Sequence, residues 1–172
     1  MVSKILRLSP SNIGGLLRFN PRLKLVHLFR NPRSVIHSHL NTEFYHLTEG
    51  MTSDVNRDID ALCSRLEKDS SALKQLSKQF PDRVKIVRYE DFVDRDTFLQ
   101  KVQDLYDFVG FSFPNEEQKS LFSKYYSNES GTQTRSYLNE GFSESPNLHI
   151  INYIDKQCES AYASIGYHNF NS

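Results

Sequence analysis

The chain has 172 residues, which suffices for one domain with a hydrophobic core and is short for two, so we predict a single domain over 1–172. Its 21 basic and 21 acidic residues give a formal charge of +0, which argues against a nucleic-acid interface and requires any basic site to be local. A hydrophobic content of 38%, with 12 Phe and 9 Tyr, is typical of a globular domain and not of a disordered chain.

The predicted elements at the amino terminus are short. Lys4–Leu8 predicts a strand or an extended segment, and Pro10–Gly15 predicts a turn. Leu16–Phe19 predicts a helical turn that ends at Pro21. No apolar run here is long enough for a signal peptide, and the sequence predicts no membrane span. Leu25–Phe29 is apolar and unbroken, the pattern of a strand covered on both faces in a parallel sheet.

Two helical patterns follow this strand. From Ser34 the apolar spacing predicts a helix, with Pro32 near its start, where a missing amide is no loss. The longest periodic segment is Asp54–Phe80, whose apolar residues recur at helical intervals and predict a long helix. These apolar residues are Val55, Ile59, Leu62, Leu66, Leu73, Leu76 and Phe80.

The rest of the chain continues the alternation of strand and helix. Val84–Tyr89 predicts a second strand, and Phe92–Gly110 predicts an amphipathic helix stopped by its final glycine. Residues 115–127 predict another helix, and 128–147 are polar and predict a long surface loop. His149–Ile165 predicts a closing helix. Because strands alternate with helices, we predict an α/β fold in which right-handed crossovers build a parallel sheet flanked by helices.

Two arginines and a serine stand at the exit of the first strand. Arg30 follows the strand, Arg33 lies in the turn, and Ser38 comes one to two helical turns later. In open α/β sheets ligands bind at the carboxyl ends of strands, and guanidinium groups with a hydroxyl suit a phosphate group. The alternative is a solvated loop whose arginines pair with carboxylates while the serine faces water. Spacing alone leaves both interpretations open.

The segment VHLFRNPRSVIHSHL resembles the 3′-phosphate-binding strand, loop and helix of the sulfotransferases. The likeness is greatest to the carbohydrate sulfotransferases that modify galactose, N-acetylgalactosamine or N-acetylglucosamine. Their motif is R-D-P-R with a serine eight positions after the first arginine, and here Asn31 replaces the usual aspartate. Similar segments continue in the same order over most of residues 3–170. They are SKILRLS, ALCSRLEKDSSALKQLSKQFPDRVKIVRYEDF, LQKVQDLYDFVGF and a closing cysteine followed by IGYHNF.

The resemblance implies roles for the matching residues only. Arg30 and Ser38 would hold the 3′-phosphate of 3′-phosphoadenosine 5′-phosphosulfate, the co-substrate of the family. Arg33 would support the loop or bind the same phosphate. Tyr89 matches a tyrosine near the adenine, its alternative being a core aromatic at the end of a strand. Arg135 falls where some relatives return a loop to the cofactor phosphates.

The resemblance also implies an activity and its setting. A sulfotransferase with a P-loop-like fold would transfer a sulfuryl group to the 6-hydroxyl of N-acetylglucosamine or galactose on a glycan or glycoprotein in the Golgi lumen. The family loop that grips the 5′-phosphosulfate is not recognised in the 29 residues before Arg30, so we expect the carboxyl-terminal portion of such an enzyme and name no catalytic base. An inactive fragment or nucleotide-binding module is the alternative. A kinase-like protein is disfavoured because no G-x-x-x-x-G-K-[ST] occurs.

Cys63 and Cys158 are the two cysteines, and their number alone is compatible with a reduced pair or with one disulfide. In the lumen that the resemblance implies they could bridge, and Asn128 could carry a glycan.

Metal binding is disfavoured because His37 and His39 on a helix diverge by about 200°.

Glu90 and Asp91 are adjacent residues that could be mistaken for an acid/base pair. On an extended chain their side chains point to opposite faces, so they rarely act on one atom. We expect them to cap the next helix or to pair with arginines.

Overall fold

The computed structural model of the chain describes residues 2–5, 8–40, 52–93, 95–112, 115–117, 119–120 and 148–167. Strands and helices alternate within these ranges, which confirms the predicted α/β class. The predicted loop at 128–147, with Arg135 and the acceptor Asn128, lies outside the described residues, as does most of the helix predicted at 115–127.

The sheet of the described residues has two parallel strands, β1 (Leu25–Phe29) and β2 (Val84–Arg88). Their register runs from Leu25 opposite Val84 to Phe29 opposite Arg88, so both strands end at the same edge. Parallel pairing requires a crossover, and the helices between the two strands supply it. The strand expected at Lys4–Leu8 is not formed by the residues described there, 2–5 and 8.

Six α-helices occur in the described part of the chain, and none combines the length and the apolar character needed to cross a membrane. They are α1 (Ile13–Phe19), α2 (Pro32–Leu40), α3 (Thr52–Gln79), α4 (Arg95–Val109), α5 (Leu148–Gln157) and α6 (Glu159–Ile165). Two 3₁₀ turns, Pro10–Asn12 and Tyr89–Phe92, precede α1 and α4.

Three other predicted elements differ from the structure by more than a shift of one or two residues at an end. The turn predicted at Pro10–Gly15 is a 3₁₀ turn that runs directly into α1. The helix predicted from Phe92 begins at Arg95, because Tyr89–Phe92 forms the second 3₁₀ turn. The single closing helix is two helices, since Cys158 leaves the helical conformation at φ −94° and ψ 8°.

The core lies around the apolar face of α3, whose buried residues follow the predicted helical spacing. Cys63 of this face forms a disulfide with Cys158, and both cysteines are buried. The bridge joins α3 to the break between α5 and α6 across a sequence separation of 95 residues. It therefore fixes the closing helices against the core, which positions the residues they carry near β1 and β2.

Candidate functional site

Arg30 and Tyr89 meet at the edge of the sheet where both strands end. Each is the first residue after its strand, and the parallel register brings the two ends side by side. The guanidinium carbon of Arg30 lies 4.9 Å from the centre of the Tyr89 ring. Such a cation–π contact restricts the guanidinium while leaving its hydrogen-bond donors available.

Two buried polar atoms near this exit have no hydrogen-bond partner in the part of the chain that the structure describes. They are Nε of Arg30 and Oγ of Ser34. An unmatched buried group costs roughly 1–3 kcal/mol, so it requires an explanation such as a bound ligand. Positions 30, 34 and 38 are spaced by four residues, and Ser34 and Ser38 therefore share one face of α2. Ser38 is exposed on that face.

The first backbone amides of α2 are largely engaged by the protein itself. Asn31 caps the helix, because its Oδ1 accepts the N–H of Arg33 at 3.0 Å. Its own N–H donates to Oε1 of Glu90 at 2.9 Å, and Pro32 has no N–H to offer. A phosphate at this helix start would thus be bound mainly by side chains.

Arg33 is turned toward the closing helices. Its Nε donates to Oδ1 of Asp155 at 2.6 Å, and its Nη2 donates to Oδ2 of the same carboxylate. Burial would lower the pKa of Arg33, but the hydrogen bond and charge of Asp155 outweigh it and raise the pKa. Arg33 thus ties α2 to α5, which fits the supporting role that the resemblance implies, and its contact with a phosphate stays a prediction.

The two adjacent acidic residues after β2, Glu90 and Asp91, have different partners. Asp91 pairs with Arg88 at 2.6 Å, which confirms the expected pairing with an arginine. Glu90 does not follow that expectation. Its Oε1 accepts the N–H of Asn31, the residue that caps α2, and its Oε2 accepts the hydroxyl proton of Tyr167. No local pattern in the sequence indicates this contact, because Tyr167 is 77 residues away.

His37 lies on α2, next to Ser38 in the sequence. Burial lowers its pKa, and the positive charge of Arg30 lowers it further. His46 lies outside the described residues, and no group of three or more His, Cys, Asp or Glu suited to a metal occurs within them.

A family model described as "Sulfotransferase family" matches residues 7–115, more than half of the chain. The chain belongs to the sulfotransferase family. No curated protein and no solved structure gives a match. Membership in this family agrees with the α/β architecture and fits the P-loop-like fold expected from the sequence.

The matched region of this sulfotransferase contains four of the five predicted site residues. It includes both strands and α2, and with them Arg30, Arg33, Ser38 and Tyr89. It ends before α5 and α6, which carry Asp155 and lead into Tyr167. Asp155 and Tyr167, which contact Arg33 and Glu90, therefore lie in a part of the chain that the family model does not cover.

Proposed function

We propose that this sulfotransferase uses 3′-phosphoadenosine 5′-phosphosulfate as its donor and a carbohydrate hydroxyl as its acceptor. In this proposal Arg30 and Ser38 bind the 3′-phosphate of the donor, and Tyr89 lies beside the nucleoside. The acceptor would be a glycan or glycoprotein, with the 6-hydroxyl of N-acetylglucosamine or galactose as the position that the resemblance favours.

One observation carries the proposal. Arg30 stands at the carboxyl end of β1 with a buried Nε that has no partner within the described residues. A phosphate offers acceptor oxygens to a guanidinium and forms charge-assisted hydrogen bonds with it. The stacking of Tyr89 holds the guanidinium in place before any ligand arrives, so little side-chain freedom is lost on binding.

The reaction is a group transfer in which the atoms balance without a metal or an oxidant. The acceptor oxygen forms a bond to sulfur while the bond from sulfur to the 5′-phosphate oxygen breaks. The hydroxyl proton passes to a base, and the products are a sulfate ester and adenosine 3′,5′-bisphosphate. Arg30 and Ser38 contribute binding and orientation to this reaction.

A lumenal location is part of the proposal. The buried disulfide between Cys63 and Cys158 supports it, because structural disulfides persist in oxidising compartments and are rare in the cytosol. The carbohydrate acceptor is consistent with the same compartment.

Calorimetric titration with adenosine 3′,5′-bisphosphate tests the phosphate site, with adenosine 5′-monophosphate as the control ligand. We expect the wild-type chain to prefer the bisphosphate. Arg30→Ala should weaken bisphosphate binding by roughly 1.5–3 kcal/mol, because it removes a charge-assisted contact. Arg57→Ala changes an exposed arginine on α3 and should leave the affinity unchanged.

Equal affinity in the wild type and in Arg30→Ala would contradict the assignment of this loop. A second assay supplies the sulfate donor with acceptors that end in N-acetylglucosamine or galactose and measures sulfate ester formation. Ester formation supports the transferase. Binding of the bisphosphate without transfer would instead select the alternative, a nucleotide-binding module without catalysis.

A further inference from the structure

Glu90 connects residues 30–33, at the end of β1 and the start of α2, to Tyr167. We call residues 30–33 the phosphate loop. One of its carboxylate oxygens accepts the N–H of Asn31, which belongs to the peptide that joins Asn31 to Arg30. Its other oxygen accepts the hydroxyl proton of Tyr167. Burial raises the pKa of Tyr167, and the hydrogen bond and charge of Glu90 raise it further, so this hydroxyl stays protonated and acts as a donor.

The backbone just before Tyr167 is held as well. Gly166 ends α6 with φ +77°, a left-handed conformation that favours glycine and turns the chain back toward the sheet. Nη1 of Arg88 donates to the carbonyl oxygen of Gly166 at 2.7 Å. Tyr167 is therefore held through the backbone before it and through its hydroxyl, which donates to Glu90.

Asp155 makes the second connection from the closing helices. Both of its oxygens accept from Arg33, and Oδ1 also accepts the hydroxyl of Tyr162 at 3.4 Å. The ion pair is nearly buried, with the two side chains 11% and 9% exposed. Since Arg33 lies in the first turn of α2, this pair fixes the start of the helix relative to α5.

The two connections reach opposite ends of the same short segment. Glu90 holds the peptide at the exit of β1, and Asp155 holds the helix three residues further on. Neither contact involves the Arg30 side chain, whose Nε remains unpartnered among the described residues. The arrangement leaves Arg30 available for a ligand while its backbone is fixed from behind.

We propose that Tyr167 and Asp155 are positioning residues of the 3′-phosphate site, which act through Glu90 and Arg33 to set the direction of Arg30. In this proposal the closing helices, through Asp155 and the adjacent Tyr167, help to position the residue that binds the nucleotide. This inference rests on the proposed function, because it assumes that Arg30 binds the 3′-phosphate.

The test compares Tyr167→Phe with Tyr153→Phe in the full chain. Both changes remove one tyrosine hydroxyl that contacts a carboxylate, but Tyr153 donates to Asp60 on α3 and not to Glu90 or Asp155. Affinities for adenosine 3′,5′-bisphosphate and for adenosine 5′-monophosphate are measured by calorimetry, and thermal unfolding is recorded for each variant. The ratio of the two affinities reports the contribution of the 3′-phosphate alone.

We expect Tyr167→Phe to reduce this ratio about fivefold, the value of one hydrogen bond, while Tyr153→Phe leaves it unchanged. Asp155→Asn should reduce the ratio too. It leaves the Arg33 charge unpaired and is the variant more exposed to misfolding, so Tyr167→Phe is the primary test.

Each other result has a definite meaning. A wild-type chain without preference for the bisphosphate overturns the proposed function and this inference with it. A wild-type preference that Tyr167→Phe retains in full overturns the inference alone. An equal loss of affinity for both ligands in Tyr167→Phe assigns Tyr167 a merely structural role, which also overturns the inference.

Discussion

The phosphate loop and the closing helices differ in whether their buried polar groups have hydrogen-bond partners. On the side of the phosphate loop, Nε of Arg30 and Oγ of Ser34 have no partner within the described residues. On the side of the closing helices, Asp155 accepts from two side chains, and the hydroxyl of Ser70 donates to that of Ser164 at 2.8 Å. This difference agrees with the proposal that the loop binds a ligand, whereas the polar groups of the closing helices bond to one another and to Arg33.

The variant with the largest expected effect lacks the disulfide that holds the closing helices to α3. Replacing both Cys63 and Cys158 with Ala should lower the free energy of unfolding by about 4–5 kcal/mol, because the bridge closes a loop of nearly a hundred residues in the unfolded chain. Denaturant titration measures the change. A reductant added to both proteins serves as the control, since it should abolish most of the difference. A loss below about 1 kcal/mol would show that the bridge adds little to the support.

A matched pair of serine substitutions compares the two regions directly. Ser70→Ala removes hydrogen bonds to Ser164 and to the carbonyl oxygen of Glu67, and should cost about 1 kcal/mol of unfolding free energy. Ser34→Ala removes a buried hydroxyl without a partner, so stability should stay the same or rise by up to about 1 kcal/mol. If both variants lose equal stability in denaturant titration, the two regions do not differ as described.

The smallest expected effect is a pH dependence in the strand that leads to the site. Burial lowers the pKa of His27 below its ordinary value of 6.5, although the charge of Asp69 partly opposes this. The unfolded chain binds the proton more readily, so the contribution of His27 to stability is present above pH 6.5 and is lost as the pH falls through the lowered value. Thermal unfolding of His27→Gln should show a flatter acid limb than the wild type. His149→Gln, which changes an exposed histidine on α5, is the control.

The local parts of the fold could be predicted because they depend on short-range patterns. The apolar run at Leu25–Phe29 gave a strand, and the helical spacing of Asp54–Phe80 gave a helix observed at Thr52–Gln79. The closing helix was predicted in one piece, since no residue within it signals a break. The disulfide at Cys158 accompanies that break, and a cysteine pair cannot be assigned from its count.

The candidate site, like the fold, could be predicted from the sequence only in part. Arg30 and Ser38 could be found from the sequence because they lie in one continuous motif next to a strand. The residues that hold the motif could not be found, since Arg33 and Asp155 are 122 positions apart and Glu90 and Tyr167 are 77 apart. The residues around a carboxylate in the sequence do not indicate which distant donor will form a hydrogen bond with it.

By itself, therefore, the sequence determined the class of fold, the place of the motif that we propose to bind phosphate, and the residue types in that motif. Only the tertiary structure decided which donors stay available and which are used for support. The physical reason is that periodicity and turn chemistry act over a few residues, whereas the partners of Arg30, Arg33 and Glu90 depend on how separate elements pack. The parallel register of β1 and β2 and the disulfide to α3 bring those elements together.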